Sequence, residues 1–581
     1  MAFVEKVERG KNAYYHVTSS YRLPGGGWKK LRKYFGTSKP SEFQVARAEL
    51  ELQAQARKQG VSLKEDLWTI VEEGPSGPPG RWRPLTIMGG TILRFPHEIF
   101  MGIPSFGQSI LHCQSGKVDW IMPSKAVQRA GNAAFRKVVE DPAWAEAVNE
   151  RIENTSSAAF AYFESFPREF SQLSNSEIAD LFDEAIEIIG DCQEVGQAWL
   201  ALDFPHRAPL VDYLVRYLEK QNQGTGAGGF FSVLTTPLKR SNAQMEEISL
   251  VRLAAKIQAD EETFALFTAS KSFDSGFFAK FKEKKPRLWR LFSGHVKEFC
   301  WLPFVYEGPV WSEAQFAQTL SNLLKNRPKV KVLQDELATG SMALEEKQEH
   351  FLGQFNVDDK HARLLEIARE IVWGRGYRKD AIYHGFSRLL PLYEEAASRL
   401  GVSLEKARYY FWWEFGPALR GGKKLTALEL DSRHKNFAVW SVDGKPVLYL
   451  GSDAQDFMKK IKLVSEEPIG AATELKGICA SPGQGRGIVC IVNSAGDLQK
   501  MKEGSVLVSH ATDPSLVVAM KKSSAIVTDM GGLASHAAVV SRELGVPCLV
   551  GTKIATKLLK DGELVHVDAT HGILRRILAG E

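Results

Sequence analysis

Apolar and polar positions alternate at the start of this chain and then recur at helical spacing through most of its length. Asn12–Ser19 and Lys29–Phe35 are rich in Tyr, His, Val and Phe and flank Pro24-Gly25-Gly26-Gly27, which predicts two short strands and a turn. From Ser41 to about Gly421 the pattern is mainly helical. Asp359 is placed to cap a helix on which Leu364, Leu365, Ala368, Ile371 and Val372 share a face. A second helix is expected over Asp380–Leu400, kinked at Pro391 and ended by Gly401. Pro142–Phe166, Asn175–Leu200 and Met245–Phe267 carry the same period. No fixed-length repeat recurs, which disfavours a solenoid.

Phe437–Tyr449 returns to strand character around Asp443-Gly444, the dipeptide preferred in tight hairpins. A short charged helix follows, and Ser465–Glu474 has linker composition. Beyond it Gly, Val and Ile dominate, with strands expected at Gly487–Val492 and Ser505–Ser509 and strand–helix alternation after them. The expected organisation is a basic β ribbon at 1–40, a mainly helical region at 41–425 and a β hairpin plus helix at 426–464. A linker at 465–474 then leads to a compact α/β domain at 475–581. The fold class is multidomain α+β.

Composition narrows the picture only slightly. The 581 residues are 44% hydrophobic and 25% charged with a net charge of +5, ordinary for a soluble globular chain of about three or four domains. The six cysteines form no C-x-x-C pair, which suits reduced thiols and supplies neither a zinc knuckle nor a disulfide framework. The opening Met-Ala-Phe-Val-Glu-Lys lacks a signal-peptide core, and no run of about 18 apolar residues is present. The expectation is a cytoplasmic protein without a membrane partner. Lys29, Lys30, Arg32 and Lys33 make the ribbon basic. Contact with a polyanion is one reading and a solvated sheet face the weightier one, so nucleic acid is not an expected partner.

The chemistry concentrates near the C-terminus. A buried strand at Ala525–Val527 runs into Gly531-Gly532, and a helix follows through Ser535, His536 and Arg542. Glycines let backbone N–H groups approach an anion, and a helix N-terminus adds partial positive charge. A neutral imidazole there is a competent nucleophile toward phosphorus. Ser535 is a hydrogen-bond donor to it and Arg542 a candidate phosphate partner. By themselves these residues define an anion site holding a histidine, and a purely structural histidine fits them equally well.

Three other patterns weigh less. Gly224-Thr-Gly226-Ala-Gly-Gly229 fits G-x-G-x-x-G, but a helical stretch precedes it and strand-like Phe230–Leu234 follows, the reverse of a dinucleotide site. His295-Val-Lys-Glu298 puts two ligand types on one helical turn without a third. Phe411-Trp412-Trp413 with Phe415 reads as core, whereas Trp301, Phe304, Tyr306 and Trp311 leave room for a small-molecule pocket in the helical region.

Four blocks in order decide between the readings of His536. They are Gly477-Ile-Cys-Ala-Ser481-Pro482-Gly483-Gln-Gly-Arg-Gly487; Ala511-Thr512-Asp513-Pro514-Ser515; Gly531-Gly532-x-x-Ser535-His536-Ala537 with Ser541-Arg542-Glu543-Leu544-Gly545-Val546-Pro547; and Asp561-Gly562 with Val567-Asp568 and Gly572. The stretch from Gly477 to Leu574 resembles the mobile, swivelling phosphohistidine domain of the phosphoenolpyruvate-utilising enzymes, which include phosphoenolpyruvate synthase, pyruvate phosphate dikinase and rifampicin phosphotransferase. Coarser similarity to synthase-like proteins runs over roughly Asp203–Gly451, without catalytic residues to carry over. The resemblance implies a phosphotransferase component in which His536 is the catalytic residue, transiently phosphorylated. Gly531, Gly532, Ser535, Arg542 and Thr512 would then bind phosphate or support the site. Ala534 stands where the dikinases commonly carry Thr, which removes any regulation through that hydroxyl.

The family charges its histidine from ATP through an ATP-grasp domain, and its synthases and dikinases add a phosphoenolpyruvate-binding barrel. Neither pattern is recognisable here, so a separate ATP-grasp or phosphoenolpyruvate-binding protein is the expected partner, with the small-molecule acceptor unidentified. Mg²⁺ is expected alongside a nucleotide or phosphoenolpyruvate donor, although no motif here holds it. The alternative is a non-catalytic regulatory or binding protein that retains the phosphohistidine fold.

Overall fold

The computed structural model describes residues 3–9, 12–22, 28–40, 44–45, 48–49, 51–52, 55–56, 67–72, 101, 103–104, 106–115, 117–167, 169–202, 208–222, 227–304, 309–325, 327–442, 445–464, 474–493, 495–512, 516–531 and 535–577. The expected turns at Pro24–Gly27 and Asp443-Gly444 lie outside the described residues, as do 465–473 of the linker, Gly224–Gly226, Tyr306, Asp513–Ser515 and Gly532–Ala534. The chain divides into two compact units. The first comprises Met1–Phe135, Glu169–Phe204 and Pro391–Pro468, and the second Arg136–Arg168, Pro205–Leu390 and Ile469–Glu581.

In the first unit, β1 (Phe3–Arg9), β2 (Asn12–Arg22) and β3 (Trp28–Tyr34) form an antiparallel sheet in that order. Val17 and Leu31 are buried with Ala48 and Leu52. The basic face is partly neutralised, because Arg32 pairs with Glu5 at 3.1 Å and Lys33 pairs with Glu51.

The second sheet of this unit contains β4 (Leu67–Glu72), β5 (Gln108–Gln114), β6 (Lys117–Pro123), β7 (Asn436–Val442), β8 (Lys445–Leu450) and β9 (Lys462–Leu463). Its order is β8-β7-β5-β6-β4-β9. The β7–β8 hairpin is the one its alternation predicts. Strands β4, β5 and β6, however, arise inside the segment expected to be helical. Ile110, Leu111 and Cys113 of β5 are all buried, so both faces of the strand are covered and its two-residue period is lost. Trp68, Ile110, Ile121, Trp440 and Phe457 share one core. Beside the sheet, buried Arg433 makes a two-pronged pair with Glu414 at 2.6 and 2.8 Å.

The second unit is helical in its first part. Helix α1 (Pro142–Ser165) starts with proline, and Asp141 accepts the Trp144 N–H at 3.3 Å. Helix α2 (Ala227–Leu234) is followed by α3 (Asn242–Gln258), which opens on a Ser241–Gln244 capping box. Helix α4 (Asp359–Leu400), of which the residues up to Leu390 belong to this unit, is one element of 42 residues where the sequence suggests two, and it passes through Pro391. Gly401, at φ +74°, follows its end as expected. A Cβ on Gly385 of α4 would come within 2.6 Å of the Phe163 ring of α1, so the glycine sets how closely these helices pack. Phe267, Phe281, Phe292 and Phe316 fill a separate core.

The rest of this unit is an eight-stranded sheet. Its strands are β10 (Glu474–Lys476), β11 (Ile478–Ser481), β12 (Gln484–Ile491), β13 (Ser505–Ser509), β14 (Ser523–Thr528), β15 (Cys548–Val550), β16 (Leu564–Asp568) and β17 (Ile573–Arg576). They lie in the order β10-β17-β16-β12-β13-β14-β15-β11. The pairs β12–β13, β13–β14 and β14–β15 are parallel. Helices α5 (His536–Glu543) and α6 (Ala555–Leu558) follow β14 and β15.

The segment Phe230–Leu234, expected to be strand-like, is part of helix α2. Its aromatic and β-branched residues suit a strand by propensity, but tertiary packing overrides so short a signal. Phe231, Ser232 and Leu234 are buried in helical form. The decoy histidine His295 is also buried, with Nδ1 at 2.9 Å from Ser249 Oγ and the ring against Phe299 and Phe316.

Candidate functional site

Parallel strands deliver their loops to one edge of a sheet, and that is where the C-terminal motif collects. Ser509 and Thr528 are the paired last residues of β13 and β14. Beyond them the chains stay joined, with Asp529 N–H donating to Ser509 O at 3.0 Å and Met530 N–H to His510 O at 2.8 Å. Thr528 Oγ1 donates to Met530 O at 2.8 Å and turns the chain toward the glycine pair. Gly531 has φ +115°, a conformation that glycine adopts without strain, and a Cβ there would lie 2.8 Å from Ser535 Oγ.

Ser535 is the N-cap of α5, with φ −72° and ψ 161°, and its hydroxyl accepts the Ala538 N–H at 3.3 Å. His536 is the first residue of this eight-residue helix, and the structure describes its backbone only. The helix is fixed from below by the buried Ala537, Ala538 and Ser541, and Gly545 at φ +64° follows its end. The sequence-assigned Gly531, Ser535 and His536 therefore converge on one turn. Thr512 is half-buried after β13, and Gly532 lies outside the described residues.

Arg542 sits elsewhere on the helix. Its guanidinium end is buried while the residue as a whole is half-buried, with Nε donating to Ser232 Oγ at 2.8 Å and to Ala480 O at 2.7 Å. Its Nη1 and Nη2 have no hydrogen-bond partner among the described residues. Burial pulls the guanidinium down to about 10 and pushes the neighbouring thiols up, Cys479 to about 11 and Cys548 to about 12. Both thiols stay protonated and unreactive at neutral pH.

Two residues at this edge escaped the sequence reading as functional candidates. Asp529 is buried and accepts Thr556 N–H at 3.1 Å, the Thr556 hydroxyl and Thr552 Oγ1 at 3.3 Å. Its place two residues before Gly531 was the available signal. His510, with Nδ1 3.7 Å from Asp529 Oδ2, had no sequence signal. Lys553 is exposed at φ +70°, and its N–H donates to Asp529 O at 2.9 Å. Among the described residues no group of three or more His, Cys, Asp or Glu is arranged to hold a metal ion, and no helix is long and apolar enough to cross a membrane.

Comparison with known proteins places this geometry. Residues 501–572 match the family model described as the mobile domain of the PEP-utilising enzymes. A probable phosphoenolpyruvate synthase of Archaeoglobus fulgidus is 45% identical over 139 residues, 23% of this chain and 18% of that protein. The phosphoenolpyruvate synthase of Pyrococcus furiosus is 54% identical over 110 residues, 19% of this chain and 14% of its own length. The Bacillus subtilis protein described as the uncharacterized phosphotransferase YvkC is 36% identical over 132 residues, 21% of this chain and 15% of that protein. The chain thus spans less than a fifth of the length of these relatives, and the similarity supports a phosphotransfer role. The sheet domain that carries His536 matches the mobile domain of the phosphoenolpyruvate-utilising enzymes over residues 501–572.

Proposed function

We propose that the C-terminal domain is a phosphoryl carrier in which the His536 imidazole receives a phosphoryl group from one site and yields it at another. The observation that carries this reading is the position of His536, first residue of α5, behind the Ser535 cap and the left-handed turn at Gly531. A helix N-terminus leaves backbone N–H groups unpaired and presents partial positive charge, which favours a phosphoryl dianion. At neutral pH an ordinary imidazole is largely uncharged and nucleophilic.

In the transfer step a ring nitrogen forms a bond to phosphorus as the bond from phosphorus to the donor's bridging oxygen breaks. That oxygen leaves with the electron pair. The proton on the second ring nitrogen stays, so the phosphorylated ring is cationic and is itself a good leaving group in the onward step. Positioning and charge neutralisation supply most of the acceleration in phosphoryl transfer. Gly531, Gly532, Ser535 and Thr512 would surround the phosphoryl group. Arg542, engaged by Ser232 and Ala480, would join them only after leaving those partners.

The donor would be phosphoenolpyruvate or ATP, held by a separate partner protein together with any Mg²⁺. Asp529 spends its oxygens on Thr552 and Thr556 and offers no ready metal site. The names of the synthase and phosphotransferase relatives support this donor class.

The test is to incubate the full chain with phosphorus-labelled phosphoenolpyruvate or ATP and Mg²⁺, with and without cell extract. An acid-labile, base-stable label is expected in the native chain and not in His536→Ala. Label retained by the variant would move the chemistry to another residue. Absence of label under every condition would leave a binding or regulatory role for the retained fold.

A further inference from the structure

Where α2 meets the sheet domain, three polar groups close a small ring inside the protein. Ser232 Oγ donates to Ala480 O at 2.6 Å, and Arg542 Nε donates to both of those oxygens. Around the ring, Gly229 of α2 faces Pro482, where an added Cβ would make ordinary contact at 3.5 Å. At the edge, Lys521 pairs with Glu247 of α3 at 3.1 Å. The groups around the guanidinium are otherwise the neutral Cys479 and Cys548 thiols. Among the described residues no carboxylate is paired with Arg542, and its two buried outer nitrogens have no hydrogen-bond partner.

A buried guanidinium with one nitrogen of three satisfied is unfavourable compared with the same group in water. Ser232 of α2 lies against Nε, so α2 contributes to covering the guanidinium and to this penalty. Separating α2 from β11 and α5 would break the Ser232 contact but let water reach the unpaired nitrogens. The contact therefore combines an attractive part, the apolar packing and the Ser232 bond, with a repulsive part set by Arg542.

We propose that Ser232 and Arg542 form a releasable docking contact, in which the under-paired guanidinium of Arg542 holds the sheet domain on α2 only weakly and so keeps it free to leave. The inference does not require His536 to carry phosphate, and its failure would leave the carrier reading untouched.

The two residues act in opposite directions, which makes the contact testable. Arg542→Met keeps an unbranched side chain of similar reach and removes the unpaired charge. Ser232 and Ala480 still satisfy each other, so no orphaned group remains, and the docked form should gain. Ser232→Ala removes the only hydrogen bond that Arg542 makes to α2 among the described residues, and the released form should gain. At the edge Glu247→Lys should also favour release, and the double reversal with Lys521→Glu should restore docking.

The measurement is the distance distribution between spin labels at Arg252→Cys and Lys560→Cys, both exposed, in a full-length Cys300→Ser background. The native chain should show a short and a long population. Ser232→Ala should lower their ratio by about tenfold, the usual worth of a charge-assisted hydrogen bond, and Arg542→Met should raise it, because relief of the two unpaired nitrogens outweighs the loss of the same bond. If Arg542→Met fails to fold, Ser232→Ala and the Glu247/Lys521 reversal still decide. A single distribution that none of these changes move, or a shift in the same direction for both Ser232→Ala and Arg542→Met, would overturn the proposal.

Discussion

The buried carboxylate of Asp529 accepts the Thr556 N–H at 3.1 Å, tying the end of β14 to the start of α6. Thr552 Oγ1 adds a bond at 3.3 Å, and Lys553 N–H reaches the Asp529 carbonyl at 2.9 Å. One residue thus anchors the base of the turn that leads to His536. Asp529→Ala leaves the half-buried Thr556 amide and hydroxyl without their acceptor, whereas Thr552 Oγ1 keeps Thr528 O at 3.0 Å. A loss of about 2–4 kcal/mol in unfolding free energy is expected, with a larger loss of His536 labelling than stability explains. Asp529→Asn, which keeps one acceptor oxygen, should fall between. Equal labelling rates in all three proteins, measured well below their unfolding temperatures, would remove Asp529 from the site.

Gly385 and Gly294 are both helical glycines with opposite surroundings. A Cβ on Gly385 would press to 2.6 Å from the Phe163 ring, whereas one on Gly294 meets nothing within 4 Å. Gly385→Ala should therefore destabilise the chain by about 1–3 kcal/mol through overpacking. Gly294→Ala should stabilise it by about 0.5–1 kcal/mol, because alanine favours the helix and restricts the unfolded chain. Denaturant melts of the two variants should move to opposite sides of the native midpoint.

These contrasts explain what the residue pattern could convey. The C-terminal domain was legible because its glycines are dictated by close backbone approach. A Cβ on Gly485 would lie 2.3 Å from Ser524 O, and one on Gly487 2.3 Å from Gly504 O. The sequence reading gave the glycines beside His536 to the anion, and Gly531 stands at φ +115° in the turn before Ser535. Gly485 and Gly487 instead let β12 lie tightly against its neighbours. Strands β4 and β5 were hidden because one partner of each, β9 and β7, lies more than 300 residues away in sequence, and β6 pairs with β4 and β5 themselves. Arg542 was read as a candidate phosphate partner because it is a cation on the helix that follows the glycine pair. Its bond to Ser232 joins residues 310 positions apart, which no local pattern encodes.

Asp380 of α4 provides a pH-dependent test in the helical part of the second unit. Burial raises its carboxyl to about 7, although Asn242 Nδ2 donates to it at 2.9 Å and opposes the shift. The unfolded carboxyl ionises near pH 3.8, so between there and pH 7 the folded state holds a proton that the unfolded state has lost. Stability consequently falls as pH rises through that window. Asp380→Asn is neutral throughout and can still accept the Asn242 bond. It should match the native chain at pH 4 and exceed it by about 2 kcal/mol at pH 8, less than full linkage implies because the side chain keeps some access to water. A constant difference between the two proteins from pH 4 to 8 would show that Asp380 ionises normally in the fold.

Gly531→Ala separates the geometry of the turn from the stability of the domain. Gly531 holds φ +115°, and its missing Cβ leaves room for Ser535 Oγ at 2.8 Å and Ser535 Cβ at 2.9 Å. Alanine would be strained in that conformation and would push Ser535 away from Ala538 N–H, the bond that caps α5. Relaxation must therefore come from the turn, because β14 beneath it is buried in the sheet through Ala525, Ile526 and Val527. The expected cost in stability is about 1–3 kcal/mol, from backbone strain and the lost cap. The first turn of α5 would lose its fixed start and the His536 backbone its position. Labelling of His536 should then drop by more than tenfold, a larger effect than in Ser535→Ala, which loses the cap alone. Ser535→Gly, which keeps a tolerated N-cap and relieves the crowding, should restore part of the activity in the Gly531→Ala background. If Gly531→Ala labels at the native rate, the left-handed turn has no part in placing the nucleophile.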